Sequence, residues 1–306
     1  MSYAVLPQRL NLAIGRRCEV ACSGCYTYFG RDEPSLARLL PTVAKFARLG
    51  VDKVTLSGGD PLTIEGILNF LSDLKAIGVR SIKFDTVGVG LATATTPSRI
   101  DLRSLAAVAD YIGIPVDGWS NESVLEFRRG RRQLFTETMA LLDAFSALGG
   151  PPAVVVHTVA HAGNLDHLGR IYSVLAVHPC VRRWSIFQYT PTDQAGRGAN
   201  RSYAVSNEKF SQGCESLLGA LARVPSPESS FQIELLSNRS RLGQYLLVNS
   251  DGDAWLPDAD GRTLMLGSVF GREEQVLDSW CRMVNTMLRR AEAFETSSKL
   301  LRLAGM

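Results

Sequence analysis

The sequence predicts an α/β fold in which a parallel sheet is covered by helices on its outside. Short apolar runs alternate with longer segments of helical apolar spacing, and six such runs occur between residues 9 and 190. The connections between them are short, as in consecutive strand–helix units of a parallel sheet. Because such crossovers are right-handed, we expect the sheet to curl toward a barrel.

Candidate polar and glycine residues lie at the C-terminal ends of the predicted strands, where ligand sites of such folds are found. The six predicted strands cover residues 9–15, 52–56, 80–85, 111–116, 153–159 and 182–188. The helices are assigned from apolar residues three or four positions apart, as in Leu36, Leu39, Val43 and Phe46. They cover residues 35–49, 64–77, 102–109, 134–148 and 165–177.

The pattern changes after residue 190, which divides the chain into a core of residues 1–190 and a C-terminal α/β extension of residues 191–306. The extension opens with a polar, glycine-containing loop at residues 190–201, long enough to cover a site. The pair Asp251-Gly252 then predicts a hairpin turn. The helices and strands predicted in the extension cover residues 210–221, 231–236, 245–248, 254–256 and 273–295.

Three cysteines, Cys18, Cys22 and Cys25, lie on a short loop directly after the first strand, at C-x3-C-x2-C spacing. Thiolates so close together can all bind one small metal cluster. A [4Fe–4S] cluster normally takes four thiolates, so three would leave one iron open to a substrate or cofactor. The alternatives are a structural zinc site, which lacks a fourth Cys or His nearby in sequence, a redox pair at Cys22 and Cys25, and chance clustering on a loop.

The spacing C-x3-C-x2-C just after a first strand resembles the signature of the radical S-adenosylmethionine (radical SAM) enzymes. The resemblance implies a partial (β/α)6 barrel over about residues 8–190 and two cofactors, a [4Fe–4S] cluster and SAM. It implies that the open iron chelates the amino and carboxylate groups of SAM. It also implies that the reduced cluster cleaves SAM to methionine and a 5′-deoxyadenosyl radical. An electron donor such as a flavodoxin or ferredoxin is the implied partner.

The segment Ser57-Gly58-Gly59-Asp60 ends the second predicted strand, about 35 residues after the cysteine loop. Paired glycines there allow close backbone approach to a ligand. In the radical SAM family, a Gly-Gly-Glu-Pro segment at this place hydrogen-bonds the SAM amino group through backbone carbonyls, and Asp60 is a mild departure from it. Most Gly-Gly pairs are only turns, so assigning this pair to SAM binding depends on its position after the cysteine loop.

The resemblance implies further SAM contacts at the ends of later strands. Thr86 lies where the family often has a polar contact to SAM, and Arg129 where it often has an arginine for the SAM carboxylate. For the arginines of residues 128–132, a solvated charged face is the alternative. His157 and Gln188 end the fifth and sixth strands, and His157 fits a satisfied core histidine as well as a ligand contact.

The family usually has an aromatic residue just before the third cysteine, where this sequence has Gly24. Tyr26 or Tyr28 is the candidate that shields the cluster or packs on the SAM adenine, and ordinary loop packing is the alternative. The segment Trp184-x-x-Phe187-Gln188 gives a partial similarity to viperin-type radical SAM nucleotide dehydratases. The nucleotide contacts of viperins are not evident, so their CTP substrate is not implied.

Composition argues against several other classes of protein. A net charge of +3 over 306 residues implies no basic surface for nucleic acid. No apolar run reaches the roughly 20 residues of a membrane helix, and residues 1–9 show no signal-peptide pattern. Three clustered and three scattered cysteines are not a disulfide framework, so we expect a cytoplasmic protein in a reducing compartment.

The predicted function is hydrogen abstraction from a small polar metabolite of sugar or nucleotide type, in biosynthesis. With one cluster there is no obvious path for removing an electron from a product radical, which favours epimerisation, rearrangement or dehydration over oxidation. For an epimerisation, the thiol of Cys214 or Cys281 is the candidate catalytic hydrogen donor, although most lone buried cysteines belong to the core. The alternatives are a maturase of a ribosomally made peptide, and an iron–sulfur redox or sensor protein without SAM chemistry.

Overall fold

The computed structural model describes residues 6–25, 35–91, 100–192, 200–223, 231–258 and 261–304, with the side chains of the last helix described as far as residue 289. The strands are β1 (Arg9–Ala13), β2 (Ala21–Cys22), β3 (Lys53–Ser57), β4 (Ser81–Asp85), β5 (Tyr111–Pro115), β6 (Arg128–Arg129), β7 (Ala153–Ala160), β8 (Val181–Gln188), β9 (Gln232–Leu236), β10 (Tyr245–Val248), β11 (Asp253–Pro257) and β12 (Thr263–Ser268). The helices are α1 (Leu36–Arg48), α2 (Ile67–Ala76), α3 (Leu102–Val108), α4 (Asn121–Phe127), α5 (Leu134–Leu148), α6 (Leu168–Leu175), α7 (Asn207–Leu221) and α8 (Glu273–Ala304). Among the helices that the structure describes, none is both long and apolar enough to span a lipid bilayer.

Most of these strands form one sheet, in the order β12-β11-β10-β1-β3-β4-β5-β7-β8-β9. From β10 across to β9 every neighbouring pair is parallel, whereas β11 and β12 run antiparallel. The mostly parallel α/β sheet predicted from the sequence is thus confirmed. In the described part of the chain no ladder joins β12 to β9, so the sheet there is open rather than a closed barrel.

The C-terminal extension adds its strands to the same sheet. At one edge β10 pairs with β1, with Tyr245 opposite Arg9, and at the other edge β9 pairs with β8. Strands that follow residue 190 therefore continue the core sheet at both of its edges. The division of the chain into two domains at residue 190 remains a prediction. So does the covering loop, most of which falls on residues 193–199, outside the described residues.

The two faces of the sheet differ in polarity, because alternate residues of a strand point to opposite faces. On one face, strand residues such as Leu10, Leu56 and Ile112 are buried in a hydrophobic core shared with the helices. The other face, which we call the polar face, carries Arg9, Asn11, Thr55, Lys83, Asp85, His157, Arg183, Ser185 and Glu234. The interior of a (β/α)8 barrel is usually filled with branched apolar side chains. The polar face therefore has the chemistry of a ligand site rather than of a packed core.

A separate two-stranded ribbon pairs β2 with β6 in antiparallel orientation and sets Cys22 opposite Arg128. Strand β6 follows α4, which begins at a capping box between Ser120 and Ser123. Neither α4 nor the ribbon was predicted from the sequence, because segments of 7 and 2 residues are too short to show a hydrophobic period. The ribbon brings the cysteine loop against the connection that follows β5.

Candidate functional site

The three cysteines of the loop after β1 are free thiols, with Cys18 exposed and Cys22 and Cys25 half-buried. Protein atoms around the thiol displace water from it and raise the pKa of Cys18 to about 11, although the residue is partly open to solvent; negative charge at Asp60, Cys22 and Cys25 contributes less. Burial also raises the pKa of Cys22. Cys18 and Cys22 are therefore neutral thiols at neutral pH, and binding of a metal must remove their protons.

This set of donors fits a [4Fe–4S] cluster. In the described residues no three His, Cys, Asp or Glu side chains are grouped so as to hold a single metal ion. A cluster takes its thiolates on separate irons, and iron–sulfur clusters select soft thiolate ligands. Cys18, Cys22 and Cys25 would hold such a cluster and leave one iron without a protein ligand.

The glycine pair after β3 packs directly against the backbone that leads into the cysteine loop. The Gly59 amide donates to the Gly15 carbonyl over 2.8 Å, and the Asp60 amide donates to the Arg17 carbonyl over 2.5 Å. A Cβ on Gly59 would lie 2.0 Å from the Arg17 carbonyl oxygen, and Gly58 has a φ of +124°. Only glycine permits this approach. The pair thus fixes the chain just before Cys18, while its contact with the SAM amino group stays a prediction.

Asp60 is 2% exposed and ties the ends of β3 and β4 together. Its carboxylate accepts hydrogen bonds from the Thr86 hydroxyl at 2.7 and 2.9 Å and from the Val87 amide at 3.0 Å. Burial raises the pKa of Asp60, and these donors oppose the rise. The Thr86 oxygen also accepts from the Gly88 amide, and the Ser57 hydroxyl donates to the Leu12 carbonyl. The predicted SAM contacts of Ser57, Asp60 and Thr86 are untested, and these residues already have structural partners.

The two arginines of β6 point in different directions. Arg128 donates from Nη1 to the Cys22 Sγ over 3.2 Å and pairs through Nε with Asp117. Arg129 is exposed to solvent. The structure therefore brings Arg128 to the cysteine loop, whereas the sequence motif selected Arg129, whose role in binding the SAM carboxylate stays a prediction. Sequence alone could not separate the two, because the distinction depends on the ribbon between β2 and β6.

Aromatic side chains pack against the loop at Gly24. A Cβ on Gly24 would lie 2.4 Å from the ring of Tyr189 and 2.9 Å from that of Phe127. These two rings form a small buried cluster with Tyr203. Burial raises the pKa of Tyr189 to about 12, with smaller contributions from Tyr203 and Cys25. The rings of Tyr189 and Phe127, from distant segments of the chain, thus fill the space that a side chain at position 24 would occupy. Tyr26 and Tyr28, the candidates named from the sequence, lie outside the described residues.

His157 lies on the polar face, beside Asp85. Its Nε2 is 3.8 Å from Asp85 Oδ1, and Lys83 Nζ is 3.0 Å from the same oxygen. A Cβ on Gly113 would lie 1.9 Å from Asp85 Oδ1 and 3.0 Å from His157 Nε2, so the absence of a side chain there lets the two groups approach. Burial, with the Lys83 charge, lowers the pKa of His157 to about 3, so the ring is neutral. Its other neighbour is Phe187, stacked at a centroid distance of 5.3 Å.

The remaining predicted residues are Gln188, Cys214 and Cys281. Gln188 is 1% exposed and binds the extension, donating to the Val205 carbonyl at 2.8 Å and accepting from the Asn238 amide at 2.9 Å. Cys214 is buried in the hydrophobic core on the helix side, and burial raises its pKa to about 11. Cys281 on α8 packs against the same core. The donor role suggested from the sequence for both cysteines stays a prediction.

Comparison with known proteins gives matches to a family model, to curated proteins and to solved structures. A family model described as the Radical SAM superfamily matches residues 12–175, more than half of the chain. Among curated proteins, GTP 3′,8-cyclase of Geobacter sulfurreducens is 27% identical over 190 residues, which are 60% of this chain and 55% of that protein. Molybdenum cofactor biosynthesis protein 1 of Bos taurus is 26% identical over 228 residues, which are 72% of this chain and 34% of that protein. The chain thus spans about half or less of the length of these relatives.

Solved structures show the same fold. Streptococcus suis SuiB bound to the precursor peptide SuiA superimposes with a TM-score of 0.65 at 12% identity, covering 82% of this chain and 60% of that one. The anSMEcpe structure with bound AdoMet and Cp18Cys peptide has a TM-score of 0.59 at 14% identity, covering 88% and 80%. At these identities the likeness concerns the fold alone.

Proposed function

Because the chain belongs to the radical SAM superfamily, we propose that it abstracts a hydrogen atom from a small polar metabolite of sugar or nucleotide type. The observation that carries this proposal is the polar face of the sheet. Polar side chains lie there in place of the branched apolar side chains of an ordinary barrel interior, and several of them are only partly buried. Among these substrate types, a nucleotide is supported by relatives named GTP 3′,8-cyclase.

The polar face offers groups of both charges to such a substrate. Lys83 and Arg183 supply cations, with Arg183 Nε 3.6 Å from the Glu234 carboxylate. Asp85 and Glu234 accept hydrogen bonds, the latter from the Ser185 hydroxyl at 2.7 Å. His157 Nε2 has no hydrogen-bond partner within the described residues. Buried polar atoms are normally paired, so this nitrogen is suited to a ligand hydroxyl or amide.

The cofactors would supply the radical, and residues of the chain would hold the cofactors and the substrate in place. A [4Fe–4S] cluster on Cys18, Cys22 and Cys25, together with SAM, supplies the one-electron chemistry that yields the 5′-deoxyadenosyl radical. The segment after β3 holds the cysteine loop, and the polar face orients the substrate. With both cofactors bound, they would remove one hydrogen atom from a carbon of the substrate that the polar face holds. Rearrangement, dehydration or epimerisation then follows. A flavodoxin or ferredoxin is the proposed source of the electron.

The proposal is tested with anaerobically reconstituted protein, SAM, a reductant, and panels of deuterated nucleotides and sugars. We expect deuterium in 5′-deoxyadenosine with at least one compound. We also expect Asp85→Asn to abolish this transfer while leaving slow, uncoupled SAM cleavage. The control is Arg80→Ala, which changes an exposed residue paired with Asp52. Deuterium transfer from none of these compounds, with uncoupled 5′-deoxyadenosine still formed, would contradict the proposal and favour a peptide maturase. No 5′-deoxyadenosine from cluster-loaded protein would indicate a redox or sensor protein.

A further inference from the structure

The guanidinium of Arg128 makes a direct contact with a predicted cluster ligand. Its Nη1 donates to the Cys22 Sγ over 3.2 Å, and its Nε pairs with the Asp117 carboxylate. The side chains of Arg128 and Asp117 are only 12% and 0% exposed. This is therefore a buried, directed contact and differs from the exposed ion pairs that contribute little.

The arginine is held in place from several sides. Asp117 accepts the Val159 amide of β7 on its other carboxylate oxygen, at 2.7 Å. The Asp117 backbone carbonyl accepts the Asn164 side-chain amide at 2.9 Å. The ribbon places Cys22 directly opposite Arg128. The planar guanidinium can serve two partners at once, and here it bridges the end of the core sheet to the cysteine loop.

A hydrogen bond from a cation to a ligand sulfur changes the energy of the cluster it holds. Reduction adds negative charge to the cluster and its thiolates, and a nearby N–H donor with positive charge stabilises that added charge. We propose that Arg128 is a positioning residue that hydrogen-bonds the Cys22 thiolate and raises the reduction potential of the cluster, so that a cellular donor reduces it more easily. Asp117 orients the guanidinium for this task. The inference concerns the cluster and does not depend on which substrate is used.

The test is a redox titration of the reconstituted full chain, followed by the signal of the reduced cluster in electron paramagnetic resonance, without SAM. Omitting SAM excludes an effect that acts through its carboxylate. We expect Arg128→Gln to retain its iron and to shift the midpoint potential to a more negative value. The matched control is Arg132→Gln, which removes the same charge from an exposed position nearby and should leave the potential unchanged. A parental potential in iron-loaded Arg128→Gln would overturn the proposal.

If Arg128→Gln does not retain iron, Arg128→Lys becomes the deciding variant. It keeps the buried positive charge beside Asp117 but lacks the planar fork that reaches two partners. We expect a midpoint potential below that of the parent. An unchanged potential, with only the affinity for SAM reduced, would assign Arg128 to SAM binding and refute its effect on the cluster.

Discussion

At the scale of single residues, the electrostatics of the polar face are set by burial. His157 sits between the Lys83–Asp85 pair and the ring of Phe187, and its side chain is 17% exposed. The loss of water, and to a lesser extent the nearby Lys83 charge, disfavour a positive charge on the His157 ring. A neutral imidazole can donate one hydrogen bond and accept one, which suits it to contact a polar substrate.

This state of His157 makes stability depend on pH. In the unfolded chain the ring titrates near its ordinary value of 6.5, but in the folded chain it stays neutral down to a pKa of about 3. As pH falls below 6.5, His157 therefore becomes protonated in the unfolded state but stays neutral in the folded state. The free energy of unfolding falls as a result. We expect His157→Gln to reduce the slope of the unfolding free energy against pH, between pH 6.5 and 5, by at most about 1.4 kcal/mol per pH unit. Urea unfolding at several pH values measures it.

Other histidines remain as a background in that experiment. Burial also lowers the pKa values of His161 and His178, so the variant keeps part of the pH dependence. The informative quantity is the difference in slope between parent and variant. Identical slopes would show that His157 titrates alike in both states and is not desolvated as described.

At the scale of elements, the packing of the end of β8 on the cysteine loop is the contact that most constrains the site. The Tyr189 ring occupies the space beside Gly24, and its hydroxyl donates to the Asn200 carbonyl at 3.0 Å. The ring is 3% exposed and has little room to move. A side chain at position 24 must therefore displace either the loop or the end of β8.

We expect Gly24→Ala to destabilise the protein by about 1–3 kcal/mol, the usual cost of overpacking a filled site. It should also release iron faster after reconstitution, because the displaced loop carries the cysteines. The free energy of unfolding and the iron retained after gel filtration are the measurements. Gly219→Ala is the matched control: its Cβ would meet nothing within 4 Å, and alanine in a helix is more stable than glycine by about 0.5–1 kcal/mol. Equal behaviour of the two variants would contradict the packing described at Gly24.

The same contact shows what local sequence could predict and what it could not. The strand of β8 and the helix of α5 follow from apolar periodicity, and the observed α5 has the predicted bounds of 134–148. The cysteine loop is recognisable from its spacing alone. Two other contacts join residues far apart in sequence. The Tyr189 ring fills the space beside Gly24, and Arg128 donates a hydrogen bond to Cys22. No local pattern encodes such contacts, and the two-residue strands that create one of them have no period.

At the scale of the whole molecule, the sheet is broader than the six-stranded core that the sequence predicted. The strands β9 and β10 were predicted as strands of the extension, but their pairing with β8 and β1 was not. Pairing depends on which edges of the core sheet stay uncovered, and that is a property of the assembled fold. The extension thereby lengthens the polar face, since Glu234 of β9 joins Arg183 and Ser185 of β8.

The measurement that tests the central claim most directly is the formation of 5′-deoxyadenosine from SAM by the anaerobically reconstituted, reduced protein. It is compared with the variant in which Cys18, Cys22 and Cys25 are all replaced by alanine. We predict about four irons and steady 5′-deoxyadenosine formation for the parent, and neither for the variant, because these three thiolates hold the cluster. Iron near the parental level in the triple variant, or a fully loaded parent that forms no 5′-deoxyadenosine, would contradict the account.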